Sequence, residues 1–323
     1  MSDKIKSLIN KVKNLFGKGE HDIEGDGTAI RTMKERDMAK ISSTQRVMKI
    51  VTQVMLYAFL LIMALIVIFP FYWMIISSLK TMQEYSESIP TLFPRFLDFS
   101  NYVEVFTNPN LLLGKLFLNT LYVGVVSTAF GLVITVLSAF AFARLEFKGK
   151  NALFAALLAT MMIPGELFTI TNYQTVSNLE WKYTYTVLIV PFLVSVFYIY
   201  LLKQNFMQIP NELYLAAKVD GTSDIKYLWK VMIPLALPTI ISITILKMMG
   251  SWNSYMWPRL VANDADHRLI TNGLRTAFTD ASGVTDIPVQ MAAVAVVSLP
   301  LFLVFIFLRK YIMKGVSRSG IKG

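Results

Sequence analysis

Few side chains in this 323-residue sequence have the types and spacing that chemistry requires. Cysteine is absent and His21 and His267 are the only histidines, so thiol chemistry, disulfides and Cys/His metal sites have almost nothing to stand on. No GxxxxGK[ST] phosphate loop, HExxH pair or GxSxG elbow occurs, and the apolar runs hold no paired carboxylates. What remains is a polar stripe inside one apolar run. On a 3.6-residue repeat Thr244, Lys247, Gly250, Ser251 and Ser254 project within roughly 120° of one another, and Asn253 stands beside them. A lysine at mid-membrane costs ~2.5–3.5 kcal/mol on insertion scales and usually faces water or a partner. The stripe is therefore a candidate pathway lining; the plainer alternative is that Lys247 snorkels along its neighbours.

The elements that must position this stripe are membrane spans. Hydrophobic residues make up 54% of the chain and gather into runs of about 20, enough to cross a ~30 Å hydrocarbon core. Six runs are expected, near residues 51–77, 116–143, 152–170, 185–202, 234–257 and 289–308. Pro70, Pro164, Pro191 and Pro300 fall inside them, with Pro164-Gly165 the most disruptive. Ser127 and Gly131, four residues apart in the second run, read as a helix-packing pair. Lys and Arg crowd the segments before the first span and after the second, fourth and sixth, so both termini fall on the cytoplasmic side. The net charge of +10 follows that rule and forms no aromatic-interleaved patch, so nucleic acid is not an expected partner. The lipid bilayer is.

The first 49 residues hold no apolar core of the kind a cleavable signal needs. Ile5, Leu8, Ile9, Val12 and Phe16 recur at helical spacing among lysines. This is the pattern of a basic amphipathic helix on an anionic leaflet, or of a frayed polar tail. Residues 20–45 read as a linker.

Between the fourth and fifth spans lies a polar island on the cytoplasmic side, NELYLAAKVDGTSDIKYLWKVMIPLALP from Asn211 to Pro238. Asn211 stands where an N-cap belongs and Glu212 falls in the first turn. Gly221 can end this helix in a left-handed turn. Thr222 or Ser223 can then cap a second helix, which Pro234 is expected to interrupt.

The island resembles the cytoplasmic EAA loop of bacterial ABC-importer permeases, roughly Glu-Ala-Ala, three residues, Gly, nine residues, Ile, one residue, Leu-Pro. Leu215, Ala216, Ala217 and Gly221 occupy the first part, and Val231, Ile233 and Pro234 the last. SAFAFARLEFKGK, NFMQIPNELYLAAKVDGTS, SWNSYMWPRLV and the terminal KGVSRSGIKG narrow the likeness to the carbohydrate-uptake branch that includes maltose-transporter permeases. The likeness runs from about residue 50 onward, leaving residues 1–49 as a leader. The departure is Leu215, where the family usually has glutamate.

The resemblance implies an all-α integral membrane protein with the six-helix fold of type I ABC importer permeases, in the plasma or inner membrane of a bacterium. It implies a non-catalytic permease subunit for a sugar or oligosaccharide. Its partners would be a second homologous permease, two ATP-binding subunits that carry the ATP and Mg, and an extracytoplasmic sugar-binding protein; this chain itself would bind no cofactor. Within the EAA loop at 207–235, Glu212, Leu215, Ala216, Ala217, Asp220 and Gly221 are the expected ATPase contacts. Ser317, Ser319 and Lys322 belong to a tail that reaches the ATPases in similar permeases, or that only obeys the positive-inside rule. Leu215 marks either an ion pair lost with hydrophobic compensation or one partly replaced by Glu212. A self-contained channel or secondary carrier is the competing reading, although a carrier would be expected to show more intramembrane ionisable groups than Lys247.

Overall fold

A computed structural model describes the backbone of residues 27–109, 111–279 and 286–317, and side chains within 48–109, 111–278 and 286–309. The expected leader helix, Ser319 and Lys322 lie outside the described residues, as does the side chain of Ser317. Every regular element among the described residues is helical. The chain divides into two units, residues 1–69 and 70–323.

Helix α1 runs over Gly27–Ser78 and crosses that division. Its first twenty residues correct the expected linker. Ala29, Met33, Lys34, Glu35, Arg36, Met38, Ala39 and Lys40 are strong helix formers, and extending a helix already nucleated by a span adds no second nucleation cost. From Met48 to Phe69 its apolar side chains are exposed, as a lipid-facing span requires.

In the second unit, α2 (Met82–Tyr85) and α3 (Ser100–Thr107) precede the long α4 (Leu113–Arg144). Then come α5 (Lys150–Thr160), α6 (Thr169–Asn178), α7 (Tyr185–Ile189), α8 (Val196–Met207) and α9 (Asn211–Val219). The short α10 (Asp224–Tyr227) leads into α11 (Ile233–Trp252), followed by α12 (Met256–Val261), α13 (Ile270–Thr279) and α14 (Ile287–Ser317). Four helices are long and apolar enough to cross a membrane: Met48–Ser78, Leu113–Arg144, Asp224–Trp252 and Ile287–Arg309. Two bent pairs raise the number to six if each is one span. Lys150–Thr160 and Gly165–Asn178 meet at 83° around Pro164, and Tyr185–Phe192 and Val196–Met207 at 42° beyond Pro191. Pro164 follows the end of its helix and Pro191 sits in the last helical turn before its break, while Pro70, Pro238 and Pro300 sit inside their helices.

Helix α4 is the spine, packed against α8, α11 and α13, while α11 also packs on α14. At one end Val136, Ala139, Phe140, Leu202, Phe206, Tyr227, Leu228, Met232, Ala236, Ile240 and Ile243 form a buried core. At the other, Val123 gathers Val187, Leu188, Val261 and Leu269. Between these two cores α4, α8 and α11 leave a gap.

Candidate functional site

Helix α9 forms over Asn211–Val219 with Pro210 at the N-cap, so Asn211 is its first residue rather than its cap. Proline suits an N-terminus because no helical partner awaits its missing N–H. The helix ends as the glycine demands. Gly221 has φ of +69°, its N–H reaches the carbonyl of Lys218, and the Thr222 N–H reaches that of Ala217 at 2.8 Å. These bonds satisfy carbonyls left open by the helix end, in a turn that only glycine enters without strain. Ser223, not Thr222, caps the next helix through its hydroxyl to the Lys226 N–H. A Gly221→Ala variant is expected to lower stability by about 1 kcal/mol. A thermal melt of the purified protein checks this, since no neighbouring atom lies within 4 Å of the added methyl to confuse the result.

Tyr214 and Ala217 turn inward against the buried core, which leaves the opposite face of α9 free. Glu212, Leu215, Ala216 and Val219 are all exposed and follow an i, i+3, i+4, i+7 pattern. Asp220 and Gly221 are exposed at its end. Val219, 89% exposed, is the member that sequence reasoning missed; its periodicity with Leu215 is the signal that points to it. The Tyr214 hydroxyl donates to Asp224 at 2.8 Å and the Lys218 ammonium meets the same carboxylate at 2.7 Å, pinning the two helices of the island together. That bond to Asp224 pushes the Lys218 ammonium above its ordinary pKa.

Pro234 does not interrupt the second helix. The turn before it, Leu228–Met232, widens into a π-helix in which the Ile233 N–H reaches back five residues to Leu228. The wider turn makes room around a ring with no N–H to give, and the helix continues without a break from Asp224 to Trp252.

At the far end of this rod lies a cavity of about 360 Å³ bordered by α4, α8, α11 and the break between α7 and α8. Lys247, Gly250, Ser251 and Ser254 line it, with Ser127 from α4 and Ser195 and Tyr198 from the α8 start. Thr244 is placed elsewhere, its hydroxyl spent on the Ile240 carbonyl. Asn253 caps the end of α11 and borders a second cavity of about 530 Å³ with Thr271, Arg275 and Gln290. Thr244 thus leaves the stripe from within the helix and Asn253 faces away at its end, while Ser254, just beyond the end, stays with Lys247 at the first cavity. Ser127 and Gly131 serve different ends: the serine faces the cavity, while the glycine makes room for Lys247.

Of the aromatic residues able to stack on a ring, Tyr198 borders the first cavity. Trp257 gives its indole N–H to the Val187 carbonyl, and Trp252 is 5% exposed, packed edge-on against Phe117. His267 is bonded to Asp264 at 2.8 Å in the loop before α13. Burial alone would raise Asp264, but the His267 bond and a backbone amide hold its pKa below the ordinary value. Among the described residues, no group of three His, Cys, Asp or Glu side chains gathers to hold a metal.

An exposed helix face, an unbroken rod and a cavity lined by hydroxyls and one amine are the features that α9, α11 and their neighbours bring together. The model of the family "binding-protein-dependent transport system inner membrane component" matches residues 131–318. The chain belongs to this family. It is an integral membrane transport component rather than an enzyme. It is 29% identical to the arabinooligosaccharides transport system permease protein AraQ of Halalkalibacterium halodurans, over 80% of this chain and 93% of that one. The polygalacturonan/rhamnogalacturonan permease YtcP of Bacillus subtilis is 28% identical, with 83% and 97% covered. The sn-glycerol-3-phosphate permease UgpE of Pectobacterium atrosepticum is 26% identical, with 81% and 95% covered. Among solved structures, a bacterial ABC transporter for import of the acidic polysaccharide alginate contains a chain that superposes with a TM-score of 0.73 at 23% identity. The match spans 83% of this permease and 97% of that chain.

Proposed function

We propose that this chain is the sugar- or oligosaccharide-conducting permease subunit of an ATP-driven importer. In this reading it forms half of the translocation pathway and couples to ATPase subunits through the exposed face of α9. The observation that carries the proposal is the unbroken helix Asp224–Trp252. At 1.5 Å per residue it is a rod of roughly 40 Å. The docking helix is pinned to its first turn through Asp224, and Lys247, Ser251 and Ser254 stand near its other end. A push on α9 therefore becomes a tilt at the cavity wall, which is what alternating access needs. The named solutes of the relatives, among them arabinooligosaccharides and polygalacturonan, support a saccharide.

The same reading makes all six spans transmembrane, with the leader at 1–49, both termini and α9 in the cytoplasm of a bacterial cell. The partners are a second permease, two ATP-binding subunits and an extracytoplasmic binding protein. The tail from Ser317 through Ser319 and Lys322 also faces the ATPases. The decisive experiment is uptake into proteoliposomes: transport is expected only with ATP, the ATPase subunits and the binding protein. Saccharide uptake by this polypeptide alone would establish the channel or carrier reading instead.

Leu215 is 56% exposed and fills no pocket of its own chain. A Leu215→Glu variant is expected to co-purify with the ATPase subunits as wild type does, with transport within about threefold, an exposed substitution being worth only tenths of a kcal/mol. Loss of co-purification would mean that the leucine sits in an apolar pocket of the partner.

A further inference from the structure

The first cavity has a sign. Lys247 is only 8% exposed, and its ammonium has two neighbours within the fold: the Phe192 carbonyl at 3.2 Å and the face of Tyr198, 5.4 Å to the ring centroid. An ammonium has three hydrogens to donate, and one carbonyl takes one of them. No carboxylate lines the cavity. The protein nevertheless gives this amine space, since a methyl at Gly131 would stand 2.5 Å from it.

The break in the fourth span supplies a second, independent feature. Helix α8 starts at Val196, twelve residues long, with Ser195 at its N-cap making no side-chain capping bond. Val194, Ser195 and Tyr198 border the cavity, so the first turn of α8, with its unsatisfied N–H groups and positive dipole end, opens onto the space that Lys247 lines. Half-helix N-termini at mid-membrane are where anionic groups of transported solutes settle. The hydroxyls of Ser127, Ser251 and Ser254 add donors, and Tyr198 a ring face for a sugar.

We propose that this cavity is a binding site for the carboxylate of an acidic saccharide. Lys247 and the N-terminal turn of α8 take the carboxylate, and Tyr198 takes the sugar ring. One full positive charge and no other cation line the cavity, which matches the single charge of one uronate carboxylate rather than a phosphate dianion. A volume of about 360 Å³ suits one or two sugar units. The proposal rests on the permease reading and names its substrate class.

The test is ATP-driven uptake by the complete transporter with its own binding protein in proteoliposomes, offered digalacturonate, the neutral disaccharide galactobiose, or glycerol phosphate. The wild type is expected to take up digalacturonate. A Lys247→Met variant is expected to lose at least tenfold of that uptake while assembling normally, and Lys247→Arg to recover most of it. An equal loss in arginine and methionine variants, or an unchanged rate in methionine, overturns the carboxylate site. A wild type that moves galactobiose but not digalacturonate overturns it too and leaves the sugar-permease reading standing. Uptake of glycerol phosphate alone overturns both the carboxylate and the saccharide assignment, and uptake of none of the three overturns the acidic-saccharide assignment.

Discussion

A Gly131→Val variant is expected to lose transport almost entirely and to yield much less folded protein. A side chain at 131 would meet the Lys247 ammonium at 2.5 Å and Cε at 2.7 Å, and the Leu193 carbonyl oxygen at 2.8 Å. The lysine tip can swing away, but the carbonyl belongs to the backbone at the break between α7 and α8 and cannot yield without moving that wall. Overpacking of this kind costs about 1–3 kcal/mol, and here it also enters the space the amine occupies. Two other glycines make internal controls. At Gly124 the first atoms met are Met248 Sδ at 2.8 Å and Cε at 3.0 Å, the end of a flexible side chain, so Gly124→Ala is expected to be milder. At Gly250, which lines the same cavity, an added methyl meets nothing within 4 Å, so Gly250→Ala is expected to fold normally. Thermal melting in detergent and uptake in proteoliposomes, measured across all three, check the order. Equal behaviour of the Gly131 and Gly250 variants would refute it.

The second large effect is expected at Arg144, which ends α4. Its guanidinium is buried, with Nη2 donating to the carbonyls of Phe206 at 2.9 Å and Ile209 at 2.5 Å. These oxygens lie at the C-terminus of α8 and in the turn leading to α9, where the helix dipole welcomes a cation. The residue thus clamps the spine helix to the root of α9. An Arg144→Met variant leaves both carbonyls without this donor in a closed core and is expected to lose about 2–4 kcal/mol. Transport is expected to fall about tenfold while the ATPase subunits continue to turn over, because the force applied at α9 no longer reaches α4. Arg144→Lys is expected to restore part of the loss through one of the two bonds. The ratio of solute moved to ATP hydrolysed is the quantity to measure. An unchanged ratio in the methionine variant would show that the clamp carries no force.

Charge counting along the sequence treats Arg144 as one more basic residue at a span end, since nothing local marks it as buried. Its role exists only because α8 ends beside it, 62 residues later. Lys247 is the opposite case. Its depth in an apolar run singles it out from composition alone, and helical periodicity groups it with Gly250, Ser251 and Ser254, which border the same cavity. Asn253, outside that periodic group, faces the second cavity, and Thr244 leaves the group because a threonine hydroxyl can bond back to its own helix, as it does to Ile240.

By itself the sequence determined the all-α membrane class, because apolar runs of about 20 residues in lipid admit no other backbone that satisfies its own hydrogen bonds at such length. It also determined the island's two helices, their glycine turn and the exposed face of the first helix, since caps, positive-φ turns and amphipathic spacing are local properties. Tertiary structure alone decided that Pro234 is carried through by a π turn, joining island and fifth span into one rod. It likewise decided that the fourth span breaks beside Lys247, and that Arg144 ties α4 to the root of α9. Each of these depends on which backbone groups and side chains meet across 55 or more residues of chain, or on how a packed helix relieves a local clash, and no pattern read along one strand of sequence contains that.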